Sequence, residues 1–193
     1  LTAGALAGEA AWVPADPRID SDSGRALLNY PHDRHFDHLH MNLELDIPSM
    51  LKPELKGVET LDVAPIGSPR SELVLDCRGP QVQSVTLAGS DRPFKLESGQ
   101  LRIDLGRDVP PGEPIRVQIR YALDFSKNKG EGLTWSKPIP GSDSQTRANP
   151  QIHAQGEAEL NSRWFPCHDF PNERLTTEIT VTLEDGYEVV SNG

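Results

Sequence analysis

The chain has 193 residues, and its 29 aspartates and glutamates outnumber 19 lysines and arginines, for a formal net charge of -10 at pH 7. No basic cluster interrupts that acidity, which argues against a general affinity for nucleic acid or anionic membrane. Apolar residues come in short runs broken by charges and prolines, far from the roughly 20 consecutive apolar residues of a membrane span, and the length suits one well-buried core.

Residues 1–29 mix Ala, Gly, Pro, Asp and Ser with neither helical nor strand period, the pattern of a flexible leader. Its first residues, Leu1 to Ala11, are similar to the end of a signal peptide but lack a basic start and a complete apolar core, so a plain linker or cloning remnant is the other reading. Cytoplasmic and exported locations are both compatible with it. The folded domain is expected over 30–193.

From His38 to Ile47 the chain alternates, with Leu39, Met41, Leu43, Leu45 and Ile47 expected inside and His38, His40, Asn42, Glu44 and Asp46 outside. Similar short runs follow at 58–63, 73–75, 82–87, 94–96, 101–105 and 115–121, separated by turn formers such as Pro65-Ile66-Gly67-Ser68-Pro69 and Pro110-Pro111-Gly112. That rhythm predicts an all-β fold of the sandwich type. The clearest hairpin joins Phe94-Lys95-Leu96 to Leu101-Arg102-Ile103 across Gly99, which places Leu101, Ile103 and Leu105 inside. A long segment from Ser126 to Pro150 is rich in Gly, Ser, Asn, Lys and Pro, and loops of that length in compact domains are often functional. The last residues predict a hairpin, with Ile179, Val181 and Leu183 alternating before Asp185-Gly186 turns the chain into Tyr187 to Val190.

The most unusual stretch is Gln155-Gly156-Glu157-Ala158-Glu159-Leu160-Asn161-Ser162-Arg163-Trp164-Phe165-Pro166-Cys167-His168-Asp169-Phe170-Pro171. If its start is extended, Gln155, Glu157 and Glu159 share one face and Ala154, Gly156 and Ala158 the other. The carboxylates then repel one another unless a cation sits between them, which can be Arg163, a metal or a bound amine. Arg163 and Asp169 are expected to pair across a corner fixed by Pro166 and Pro171 and anchored by Trp164.

Gln-Gly-Glu-Ala-Glu, then Arg-Trp-Phe-Pro-Cys-x-Asp-x-Pro, then 176–193 ending Val-Val-Ser-Asn-Gly, closely resemble, in order, the amino-terminal domain of zinc aminopeptidases of the aminopeptidase N and leukotriene hydrolase type. Arg34 to Leu43 resembles the first strand of that domain. Gly132-Leu133-Thr134-Trp135-Ser136 resembles the family's Gly-Leu-Tyr-x-Ser segment, with threonine at the tyrosine position. The resemblance implies a saddle-like arrangement of antiparallel sheets that continues past Gly193 with further strands. It also implies that Glu157 binds the α-ammonium of a peptide substrate and that Gln155 lines the pocket for the first side chain. Glu159 is a secondary candidate. Without the resemblance, pairing of Glu157 with Arg163 or a turn-capping role is the favoured reading.

No residue of this chain is expected to be catalytic or to bind metal. Among six histidines none precedes glutamate, and there is no His-Glu-x-x-His or Gly-x-Met-Glu-Asn segment. The resemblance places zinc in a following catalytic domain, where it would polarise the scissile carbonyl and activate water. His32, His35, His38 and His40 form one cluster with a metallic look, with His38 and His40 on one strand face; a framework role for His40 and solvation of the rest is the plainer reading. Cys77 and Cys167 are expected to be free and partly buried, too few for a disulfide scaffold. Cys167 reads as a packed thiol because no motif ties a histidine to it.

The sequence therefore predicts the substrate-amine-binding domain of a zinc aminopeptidase, inactive alone, whose partners are a peptide's amino terminus and the catalytic domain of the same chain. The rival is a non-catalytic β-sandwich that binds another protein. An unpaired strand edge near Val189 and Val190 predicts an edge-to-edge dimer of the isolated chain.

Overall fold

The computed structural model describes residues 33–126, 131–141 and 149–191, so the expected leader, His32 and parts of the long loop lie outside the described residues. Eleven strands and one 3-10 turn at Asn161–Arg163 make up the regular structure there, with no α-helix, as the short apolar runs predict.

A six-stranded sheet forms from β1 (Phe36–Asp46), β2 (Glu54–Pro65), β4 (Gln81–Leu87), β5 (Ser90–Asp91), β8 (Ile115–Asp124) and β11 (Thr176–Thr182), in the order β11-β1-β2-β8-β4-β5. A three-stranded sheet of β3 (Arg70–Asp76), β7 (Gln100–Val109) and β6 (Phe94–Glu97) has the order β3-β7-β6, and β9 (Leu133–Ser136) pairs with β10 (Gln151–Ala154). All pairings are antiparallel except that of β11 with β1.

Strict alternation builds the core. Along β8, Ile115, Val117, Ile119, Tyr121 and Leu123 are buried, while Arg116 and Arg120 between them face water. Leu73 and Leu75 of β3 and Leu101, Ile103 and Leu105 of β7 join them in one apolar cluster. Each such side chain contributes roughly 1.5–3 kcal/mol when fully removed from water. The β6–β7 hairpin closes as expected: Glu97 pairs with Gln100, and Ser98 and Gly99 both take positive φ, 52° and 76°, the combination that suits the twist of a two-residue hairpin loop.

Two expectations are corrected. At the start of β1, His38 pairs with Val63 but His40 with the adjacent Asp62, so Leu39 is the extra residue of a bulge. The bulge shifts the alternation by one, which buries His38 and exposes Leu39, the reverse of the expected faces. The closing hairpin is also absent. Thr176–Thr182 instead lies parallel to β1, from His40↔Thr176 to Asp46↔Thr182, where Ile179 and Val181 pack on the core. After the turn at Asp185-Gly186 residues 187–191 form no strand, and Val189 and Val190 are exposed. An available edge with an apolar floor outcompetes the local hairpin.

Candidate functional site

The segment that carries Gln155, Glu157 and Glu159 begins where β10 ends. Ala154 is the last residue paired with β9, and the Gln155 N–H then donates to the Gly132 carbonyl at 2.8 Å. The run is not extended beyond that point. The Leu160 N–H returns to the Gly156 carbonyl at 3.0 Å, closing a turn over Glu157, Ala158 and Glu159, and Glu159 has a φ of 61°. The expected alternation of Gln155, Glu157 and Glu159 on one strand face is thus replaced by a compact turn. Among the described residues no strand pairs with it beyond Ala154, and bare Gly156 lets Asn161 fold against it: a Cβ there would stand 2.7 Å from Asn161 Oδ1.

The three candidates differ in surroundings. Gln155 and Glu157 are exposed, and among the described residues no hydrogen bond or ion pair engages the Glu157 side chain. Glu159 is half-buried and faces Arg78, whose Nη2 is 4.0 Å from Glu159 Oε2 and whose Nη1 donates to the Glu159 carbonyl at 3.4 Å. Arg163, expected to neutralise this group or to pair with Asp169, does neither. Its Nη2 lies 2.9 Å from Glu131 Oε2.

Asp169 turns inward instead. Only 4% exposed, its Oδ2 accepts the Ser162 N–H at 3.0 Å, while its own N–H donates to Asp76 Oδ2 at 3.1 Å. Asp76 ends β3 and bridges Cys167 through two backbone hydrogen bonds, of 2.7 and 3.0 Å. Ser162 is fully buried, and its carbonyl accepts the N–H groups of Arg78 at 2.8 Å and Gly79 at 3.3 Å. Two further glycines permit this packing. A Cβ on Gly79 would meet the Arg163 carbonyl oxygen at 2.0 Å, and one on Gly132, whose φ is +86°, would meet that of Leu160 at 2.6 Å. Trp164 and Phe165 stack edge to face at 4.5 Å and are buried in the core, so Trp164 is the apolar anchor the sequence suggests.

Neither cysteine is bonded to another. Burial pushes the Cys77 thiol up to about 12 and Cys167 well above the ordinary thiol range, so neither supplies a thiolate near neutral pH. Among the described residues the histidines do not converge. His35 Nδ1 accepts from Arg70 Nη2 at 3.0 Å, His40 Nδ1 lies 2.7 Å from Thr176 Oγ1, and His38 stacks at 5.9 Å on His168 rather than facing His40. Among the described residues no three His, Cys, Asp or Glu side chains are grouped to hold a metal ion.

Sequence reasoning missed Asp76, Ser162, Gly79 and Gly132, whose roles depend on contacts between distant segments. It also missed Glu59 of β2, fully buried with both carboxylate oxygens unpartnered among the described residues. Glu59 was visible in outline, since it falls on the inward phase set by Leu55, Leu61 and Val63.

The sheets, the turn and its buried supports can be set beside known proteins. Residues 34–193 match the Peptidase M1 N-terminal domain, and the chain belongs to that family. Human aminopeptidase B is 21% identical over 79% of this chain, and leucine aminopeptidase 2 of Sclerotinia sclerotiorum 28% identical over 88%. The chain covers 26% of each of them. Among solved structures, an M1 zinc metallopeptidase of Deinococcus radiodurans superposes with a TM-score of 0.64 at 25% identity, covering 79% of this chain and 33% of that one. Yeast LTA4 hydrolase superposes with a TM-score of 0.62 at 25% identity, over 77% and 23% respectively.

Proposed function

We propose that this domain supplies the anionic anchor for a peptide's free amino terminus in a zinc aminopeptidase, with Glu157 as the anchor and Gln155 beside it against the first side chain. The observation that carries the reading is the state of Glu157: an exposed carboxylate without a partner among the described residues, on a turn fastened to the body of the domain. An ammonium docked there would form charge-assisted hydrogen bonds with it. Holding the leading nitrogen in place orders the peptide and selects chain ends over internal segments.

Glu159 has a lesser part, since Arg78 already offsets its charge. Zinc, carried by the M1 zinc metallopeptidase of Deinococcus radiodurans, is placed in a further domain of the parent protein, where it would polarise the scissile carbonyl and activate water. A Deinococcus radiodurans M1 zinc metallopeptidase mutant, which superposes with a TM-score of 0.62 at 26% identity, is seen with a Tyr-Ser-Ala substrate, a ligand of the class proposed for the parent.

The test is Glu157→Ala in the parent protein with an unblocked dipeptide substrate. A hydrogen bond to a charged group contributes about 1.5–3 kcal/mol, so a fall in kcat/KM of roughly tenfold or more is expected. Unchanged kinetics defeat the assignment.

A further inference from the structure

We infer that Asp169, backed by Asp76, is a positioning residue that fixes where the turn presents Glu157. This inference rests on the proposed role of Glu157 and adds the device that aims it.

The turn around Glu157 has almost no apolar material with which to hold itself. Gln155, Glu157 and Ala158 are exposed, and turns of that kind sit at the low-stability end of a fold unless tied down. The ties here converge on one residue. Ser162, five positions after Glu157, is fully buried, and both of its backbone polar groups are engaged. Its carbonyl receives Arg78 and Gly79, and its N–H reaches Asp169 Oδ2.

Asp169 is in turn oriented by Asp76 through its own N–H. The chain of contacts therefore runs from the end of β3, through two buried acidic side chains, to the start of the 3-10 turn. Gly156 and Leu160 then close the Glu157 turn directly onto that 3-10 turn.

An Asp side chain suits this task for a physical reason. The first backbone N–H groups of a helical turn lack partners within it, and a carboxylate accepts such a group with a stronger bond than a neutral acceptor. With Asp169 removed, the Ser162 N–H is buried without a partner, and an unmade buried bond favours a different course for the turn. Glu157 then samples positions off the ammonium, and binding is lost while the groups that perform the chemistry elsewhere are untouched.

The experiment is a double-mutant cycle in the parent protein, using Asp169→Ala, Glu157→Ala and the pair, read as KM and kcat for a free-amine dipeptide substrate. Asp169→Ala alone should raise KM by about tenfold with a smaller change in kcat. In the pair it should add little to Glu157→Ala, because an anchor that is gone cannot be misplaced. Asp169→Asn, which keeps an acceptor oxygen for the Ser162 N–H, should restore KM to within about threefold of the unmodified protein and covers the case in which Asp169→Ala does not fold.

Additive losses, or an Asp169→Asn variant that folds yet behaves like the alanine variant, overturn the positioning role while leaving Glu157 as anchor. If Glu157→Ala alone has no effect, the anchor reading itself fails.

Discussion

The Tyr121 ring lies on the bare backbone of Gly57, where a Cβ would come within 2.1 Å of Tyr121 Cζ and 2.4 Å of its hydroxyl oxygen. The two residues are register partners on β8 and β2, so the missing side chain of one makes room for the other at the centre of the six-stranded sheet. Gly57→Ala should lower stability by about 1–3 kcal/mol or more through overpacking, measured by urea unfolding of this chain. The Tyr121 hydroxyl is buried without a partner among the described residues, so Tyr121→Phe should be neutral or slightly stabilising.

Glu59 makes the core sensitive to alkali. Burial raises its carboxyl well above the ordinary range, so the folded chain holds a proton that the unfolded chain releases above about pH 4.5. The unfolded state then binds fewer protons, and the stability that Glu59 contributes declines as pH rises from there toward its folded value. Glu59→Gln removes the proton exchange. The variant should be the more stable of the two at pH 7–8, with the gap widening as pH rises, as thermal unfolding at several pH values would show.

His38 acts at the other end of the scale. Burial is the largest influence on it and Glu173 pulls the other way, leaving its imidazole at about 4. An unfolded histidine takes up its proton near 6.5, so between those values the unfolded chain binds more protons and stability falls as pH drops. The loss amounts to roughly 3 kcal/mol across that window. His38→Gln should flatten this part of the acid limb in urea titrations between pH 7 and pH 4.

Gly79 tests the packing behind the candidate site. Because a Cβ would meet the Arg163 carbonyl oxygen at 2.0 Å, Gly79→Ala must push the 3-10 turn away from the β3–β4 connection. Amide exchange at Ser162 should quicken by at least about tenfold, while exchange along β8, across the core, stays unchanged.

The sheet was legible wherever the period of two continued unbroken, as along Leu101, Ile103 and Leu105 or the alternating residues of β8. It failed at Leu39 because a bulge costs one residue of phase and leaves no mark in the apolar pattern. It failed again at Thr176–Thr182, whose partner is β1, more than 130 residues away in the chain; local turn chemistry at Asp185-Gly186 cannot report such a partner. At the candidate site the pairing of Arg163 was misread. Glu131 comes from a loop that no motif ties to it.

The most direct measurement compares two competitive ligands of the parent protein, a short peptide with a free amino terminus and the same peptide with that amine removed. The unmodified protein should prefer the free amine by roughly tenfold or more, and Glu157→Gln should bring the two affinities together. A preference that survives Glu157→Gln intact would contradict the assignment of Glu157 as the group that holds the leading nitrogen.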